Sequence, residues 1–180
     1  MFLHIRDMEV RPIEFDLTFS PGEVDFSDTG LRQKTAMRVE GLAELLSSVE
    51  EIRLRGTLTT EMEGDCERCL EPAVAPVRWS FDLFYRPSED VSSAGEISLK
   101  EGEVEIGFYD GDGLDLKEVL REQVLLAMPM QHLCREDCRG LCPQCGANRN
   151  LTSCDCNPHV ADPRMAGLKT LLTKRKHDDA

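Results

Sequence analysis

Ile52-Arg-Leu54-Arg-Gly56-Thr-Leu58-Thr-Thr60-Glu-Met62 is the stretch that decides the fold class of this chain. Ile52, Leu54, Gly56, Leu58, Thr60 and Met62 face one way, and Arg53, Arg55, Thr57 and Thr59 face the other. A period of two sends alternate side chains to opposite faces of a strand, so the run predicts a strand with one face on an apolar core and one in water. Working outward, Ile13-Glu-Phe15-Asp-Leu17-Thr-Phe19 alternates in the same way and is broken by Ser20-Pro21-Gly22. A candidate strand runs from Ala36 to Ser47, with Val39, Leu42 and Leu45 apolar, and Gly41 marks a bulge or a close backbone approach. Another holds Val77, Trp79, Phe81, Leu83 and Tyr85 on one face. A short one, Val104 to Tyr109, ends at the turn Asp110-Gly-Asp-Gly113. Residues 22–34 and 86–103 are polar and read as loops, the second a mobile one.

Helical spacing then takes over. Asp115 with Glu118 three residues later forms a capping-box-like start, and Leu116, Val119, Leu120, Val124 and Ala127 recur on one face up to Pro129. A last helix is expected from Asp162-Pro163, with Met165, Leu168, Leu171 and Leu172. Together these elements predict an α+β fold: a curved antiparallel β-sheet of about five strands, covered by the helix near 115–128, with a C-terminal Cys-rich zinc-binding segment and a terminal helix. Residues 1–130 make the body and 131–180 the Cys-rich segment with its helix, as two units or one compact domain.

Six of the eight cysteines crowd between the two helices: Cys134, Cys138, Cys142, Cys145, Cys154 and Cys156. Cys142-Pro-Gln-Cys145-Gly146 has the chemistry of a zinc knuckle, two thiolates from one tight turn with a glycine that frees the backbone to aim amides at sulfur. Cys154 and Cys156 lie a short loop away and complete a leading set of four, with Cys138 and then Cys134 in reserve. A soft tetrahedral sulfur site suits structural Zn2+; an iron-sulfur cluster is the alternative. Disulfides would need an oxidising compartment, and Met1 to Val10, with His4, Arg6, Asp7 and Glu9, shows no signal-peptide pattern. A loop of about thirty residues without regular structure also calls for a staple. Cys66-Glu-Arg-Cys69 is a lone pair between two strands. It reads as half a metal site, as a dithiol switch, or simply as two small turn residues, and the last is favoured.

The formal net charge of −13 is uneven. Residues 1–130 hold 13 Lys/Arg against 28 Asp/Glu, whereas residues 131–180 hold 8 against 6. An acidic body does not bind nucleic acid non-specifically. Arg135, Arg139, Arg149 and Arg164 interleave with the cysteines and are candidate docking residues, or neutralise the thiolates. No run reaches transmembrane length. Enzyme readings fare poorly: His132 and His159 flank the cluster without a H-E-x-x-H pattern, and no nucleophile elbow, phosphate loop or dinucleotide fingerprint appears. Cysteine-rich zinc sites are closed, whereas catalytic ones keep an open position. No enzymatic activity and no small-molecule substrate are expected.

Cys66-Glu-Arg-Cys69-Leu70-Glu-Pro72, the helix end Leu126-Ala-Met-Pro129-Met130, and Cys138-Arg-Gly-Leu-Cys142-Pro-Gln-Cys145-Gly-Ala-Asn148-Arg-Asn150-Leu151 carry a family resemblance. Cys154-Asp-Cys156 and Asp162-Pro163-Arg164 with Leu168 complete it. In order and spacing the chain resembles the YceD family of large ribosomal RNA subunit accumulation proteins. The resemblance implies a cytoplasmic, non-enzymatic factor in large-subunit ribosome biogenesis, needed for accumulation of the large ribosomal RNA. It also implies a precursor large subunit, ribosomal RNA or a ribosomal protein as partner, and no membrane. A redox-regulated zinc switch or holdase is the alternative from another class.

Overall fold

A computed structural model describes residues 1–46, 50–88 and 106–156. The strands are β1 (Phe2–His4), β2 (Ile13–Phe19), β3 (Arg32–Gln33), β4 (Met37–Leu46), β5 (Glu51–Asp65), β6 (Pro72–Pro87), β7 (Ile106–Tyr109) and β8 (Gly113–Asp115). The helices are α1 (Ile5–Val10) and α2 (Leu116–Ala127). Among the described residues the fold is mixed, rich in sheet and poor in helix.

The main sheet runs in the order β2-β4-β5-β6-β7 and is open, with β3 pairing the far part of β5. β5 and β6 form its spine, a hairpin in continuous register from Ile52 opposite Tyr85 to Asp65 opposite Pro72. β4 pairs β5 only between Glu51 and Thr59, so the tip of the hairpin projects past the body of the sheet. The tip is Cys66 to Glu71, which places the lone cysteine pair away from the main core.

The inward face follows the sequence period. Ile52, Leu54, Leu58 and Met62 of β5 are buried, as are Phe15 and Phe19 of β2, Met37, Val39 and Ala43 of β4, and Val77 and Phe81 of β6. α2 lies over them with Leu116, Val119, Leu120 and Val124 in the same cluster. Asp115 caps this helix, its Oδ1 accepting from the Lys117 N–H at 3.0 Å. Trp79 is partly exposed, and its Nε1–H donates to Gln123 Oε1 of α2 at 3.0 Å. One row crosses four strands as Phe15, Gly41, Gly56 and Phe81. A Cβ on Gly41 would meet Phe15 Cζ at 2.6 Å, and one on Gly56 would meet Phe81 Cζ at 2.9 Å. The two rings therefore cover the glycines, and the bare backbone is the space they occupy.

Two expectations need correction. The sheet is not purely antiparallel: β7 runs parallel to β6. The chain from 88 to 105 is too long for a tight hairpin turn, and a return of that length permits parallel pairing. Residues 22–34, read as loop, contain β3, too short to show a period. The amino terminus is also structured, because β1 pairs antiparallel with β8 and the Leu116 N–H donates to the Met1 carbonyl at 3.0 Å. Most of the loop expected over 86–103, and the helix expected from Asp162, lie outside the described residues. No helix among those described is long and apolar enough to cross a membrane.

Candidate metal centre

Cys66-Glu-Arg-Cys69 and Cys142-Pro-Gln-Cys145 adopt the same turn. The Cys66 N–H donates to Glu71 O at 2.8 Å and the Leu70 N–H to Cys66 O at 2.9 Å. In the second turn the Cys142 N–H donates to Ala147 O and the Gly146 N–H to Cys142 O, both at 2.8 Å. The residue after each second cysteine is left-handed, Gly146 at φ 73° and Leu70 at φ 62°. This backbone turns N–H groups toward the sulfurs of both turns. Glycine takes that conformation freely, while leucine takes it at a cost of about 1–2 kcal/mol. Leu70 therefore hides a knuckle that a glycine would have advertised.

Each knuckle closes with a different pair. Cys66, Cys69, Cys134 and Cys138 gather into one group, and Cys142, Cys145, Cys154 and Cys156 into a second, the sulfurs of each lying within 4.8 Å of one another. The second group holds the four expected ligands. Cys134 and Cys138 are not its reserves: they face the hairpin tip. Nor are Cys66 and Cys69 merely small turn residues. Sequence distance concealed the first group, since Cys69 and Cys134 stand 65 residues apart. The matching C-x-x-C spacing and the otherwise unassigned Cys134 and Cys138 were the signal available.

The sulfurs of Cys66 and Cys138 are 3.8 Å apart, and those of Cys69 and Cys134 3.6 Å. Both exceed a disulfide bond and match the roughly 3.8 Å edge of a tetrahedron of thiolates about 2.3 Å from a zinc ion. The hairpin group is the deeper one, with Cys66, Cys69 and Cys138 buried against Ala73 and flanked by Leu133 and Leu141. In the knuckle group only Cys142 is buried; Cys145 is exposed and Cys154 and Cys156 are intermediate.

Electrostatics divides the thiols within each group. Burial pushes Cys66 up, but the N–H groups of Cys134, Arg68 and Cys69 outweigh it and bring Cys66 down to about 6. Cys138 is also lowered, burial opposing it while the Asn150 side chain and the Gly140 N–H prevail. Cys69 is raised: the Glu71 N–H lowers it, and burial with the Cys66 and Cys138 sulfurs outweighs that. Burial and the neighbouring sulfurs push Cys134 up to about 12. In the knuckle group the N–H groups of Cys145 and Gln144 hold Cys142 at about 6. The Cys142 sulfur raises Cys154, and the Cys145 sulfur with burial pushes Cys156 up to about 12. Four thiols this close cannot all ionise against one another, and a dication at their centre removes that conflict. The donor set and geometry fit a closed four-thiolate metal site twice over.

The other flagged residues fall outside the two groups. His132 is buried, with Nε2 paired to Ala73 O at 2.8 Å, and its carbonyl accepts from the Glu67 N–H at 2.9 Å. It braces the hairpin tip. Arg135 pairs with Asp137 at 3.4 Å. Arg139 and Arg149 are exposed, on two segments held together where the Arg149 N–H donates to Gly140 O at 2.9 Å. Arg68, not singled out from sequence, joins the hairpin tip to the segment after α2: Nη1 donates to Cys138 O at 3.0 Å, and its carbonyl accepts from the Leu141 N–H at 2.8 Å. Arg164 and His159 lie outside the described residues.

Comparison with known proteins places this geometry in a family. The family described as large ribosomal RNA subunit accumulation protein YceD matches residues 54–172, a span from within β5 through every cysteine. An uncharacterized protein of Mycobacterium tuberculosis is 30% identical over 159 residues, covering 87% of this chain and 72% of its own. The uncharacterized protein YlbN of Bacillus subtilis is 28% identical over 177 residues, covering 97% and 95%. The chloroplastic large ribosomal RNA subunit accumulation protein YCED homolog 1 of Zea mays is 26% identical over 166 residues, covering 79% and 55%. No solved structure matches. With the match spanning the hairpin and both cysteine groups, the chain belongs to the YceD family.

Proposed function

We propose that this protein is a non-enzymatic factor of large-subunit ribosome biogenesis, required for accumulation of the large ribosomal RNA and acting in the cytoplasm. In this reading each cysteine group holds one structural Zn2+. Family membership and the names of the plant relatives support the ribosomal part. The observation that carries the metal part is the pair of four-sulfur groups at tetrahedral spacing. Four cysteines per group leave no open position for water or substrate, which favours a structural over a catalytic role.

The metal-bearing region is the docking surface in this reading. Arg139 and Arg149 each present an exposed guanidinium fork on a backbone fixed by the knuckle, and such forks suit phosphate or carboxylate. Its partner is the precursor large subunit, through ribosomal RNA or a ribosomal protein. Depletion of the protein should lower mature large-subunit ribosomal RNA relative to small-subunit RNA. Arg139→Ala with Arg149→Ala should weaken co-sedimentation with precursor particles at unchanged metal content. Direct RNA contact should further give an affinity that falls steeply with salt. A double variant that sediments normally and restores ribosomal RNA removes the arginines from the mechanism.

The exposure of Cys145, with Cys154 and Cys156 half-buried, favours one second reading, a redox-regulated switch or holdase at the knuckle group. Mild peroxide separates the two. A structural site keeps its metal, whereas a switch loses it in step with thiol oxidation and changes activity.

A further inference from the structure

The two cysteine groups share no ligand, yet one side chain from the knuckle group's segment reaches a sulfur of the hairpin group. Asn150 lies on the loop between Cys145 and Cys154, inside the knuckle group's own segment. Its Nδ2 donates to Sγ of Cys138, a member of the hairpin group, at 3.3 Å. Its Oδ1 accepts from the Arg139 N–H at 2.8 Å. The orientation of the amide follows from these partners: a backbone N–H only donates, so the oxygen faces Arg139 and the nitrogen faces the sulfur.

The knuckle fixes the position of Asn150. Its N–H donates to Asn148 Oδ1 at 3.0 Å, and Leu141 and Asn148 form an antiparallel bridge. The N–H groups of Leu151 and Thr152 both donate to the Asn148 carbonyl at 3.0 Å. This loop starts at the Cys142–Cys145 turn and returns at Cys154, so convergence of those sulfurs closes it at both ends.

We propose that Asn150 couples the two metal sites: closure of the knuckle around its metal holds the Asn150 amide on Cys138, and this N–H···S bond tightens the hairpin group's grip on its own metal. The proposal rests on the reading that both groups hold a metal ion. A metal-bound thiolate keeps negative charge, and four around one dication repel one another, so an N–H donor on one sulfur stabilises the whole set. Without its metal, the knuckle group's thiols have no common cation to draw them together. The loop is then released and Asn150 loses its fixed place. Linkage makes the effect mutual: metal in the hairpin group raises the knuckle group's affinity by the same factor. Removing an outer-shell partner of this kind typically costs 10–100-fold in metal affinity, and a single N–H···S bond belongs near the lower end, about tenfold.

The test uses the full chain, stripped of metal under reducing conditions and titrated with Cd2+ against a competing chelator. Cadmium NMR follows each site, with resonances assigned from Cys66→Ser/Cys69→Ser and Cys145→Ser/Cys154→Ser. Asn150→Ala should still bind two ions, with the hairpin site about tenfold weaker. Asn150→Asp keeps the acceptor for Arg139 but sets a carboxylate oxygen against the sulfur, and should lose at least as much. Cys145→Ser/Cys154→Ser should weaken the hairpin site by the same factor, and adding Asn150→Ala to it should cost nothing more. Hairpin affinities within twofold of the unmodified chain in both Asn150 variants, or a further tenfold loss in the knuckle-free background, would overturn the coupling. Fewer than two ions bound by the unmodified chain would instead overturn the two-site reading, and the coupling with it.

Discussion

Replacing Cys66 and Cys69 with serine should cost this protein far more stability than replacing Cys142 and Cys145. The hairpin group joins positions 65 residues apart, from Cys69 to Cys134. Treating the metal as a cross-link, the chain-entropy relation gives about 4 kcal/mol for closing a loop of that length. The knuckle's internal loop, fewer than ten residues from Cys145 to Cys154, gives about 2.5 kcal/mol by the same relation. The first figure is a large share of the ~5–15 kcal/mol that holds a typical domain folded. It is also an upper value, because a denatured chain keeps some order of its own. The single tryptophan suits the measurement, since Trp79 lies on β6 with its ring N–H on Gln123 of α2 and reports separation of sheet and helix. Urea unfolding of the zinc-loaded chains, followed by Trp79 fluorescence, should place the Cys66/Cys69 variant about 3–4 kcal/mol below the unmodified protein. Chelation should then destabilise that variant less than it does the unmodified protein. A loss under about 1 kcal/mol, or one no larger than in the Cys142/Cys145 variant, would refute the cross-link reasoning.

Metal affinity should depend on pH with a definite sign. Cys66 and Cys142, both near 6, are thiolates at pH 7, while Cys134 and Cys156, both pushed to about 12, are protonated without metal. Binding must therefore expel protons, at least from the raised pair in each group (Cys69 with Cys134, Cys154 with Cys156), and should tighten as pH rises above 6. Titration calorimetry in buffers of different ionisation heat measures this release; a pH-independent affinity would contradict the thiol assignments. Gly56→Ala should destabilise the sheet by about 3 kcal/mol, since its Cβ would lie 2.4 Å from the Glu40 carbonyl oxygen as well as against Phe81. Thermal unfolding checks it, with a fall in Tm of roughly 10 °C expected for a chain of this length.

The strands with a clean period were legible because burial follows side-chain alternation, and Phe15, Leu54, Leu58 and Val77 land where their spacing puts them. α2 was equally legible from its apolar face, the Asp115 cap and Pro129. β1, β3 and β8 were not, because two or three residues cannot show a period and their pairing comes from tertiary contact. The parallel pairing of β7 is likewise set by how the chain returns to the sheet rather than by local pattern. At the site, Cys142 and Cys145 were readable because the turn and its glycine are adjacent in sequence. Cys66 and Cys69 were not, for two physical reasons. Leu70 occupies the left-handed position where glycine gives the usual signal, and the partners Cys134 and Cys138 are brought near only by the long hairpin and the chain leaving α2. Asn150 belongs to the run that carries the family resemblance, but its bond to Cys138 was not readable there, since only the fold brings the two together.

Native mass spectrometry of protein purified without chelator tests the two-site assignment most directly. The mass should exceed that of the bare chain by two zinc ions less the four protons that two dications replace at equal charge. Cys66→Ser/Cys69→Ser should lower the count to one ion, still held by the knuckle group. A chain that carries a single ion, none, or the mass of paired disulfides would contradict it.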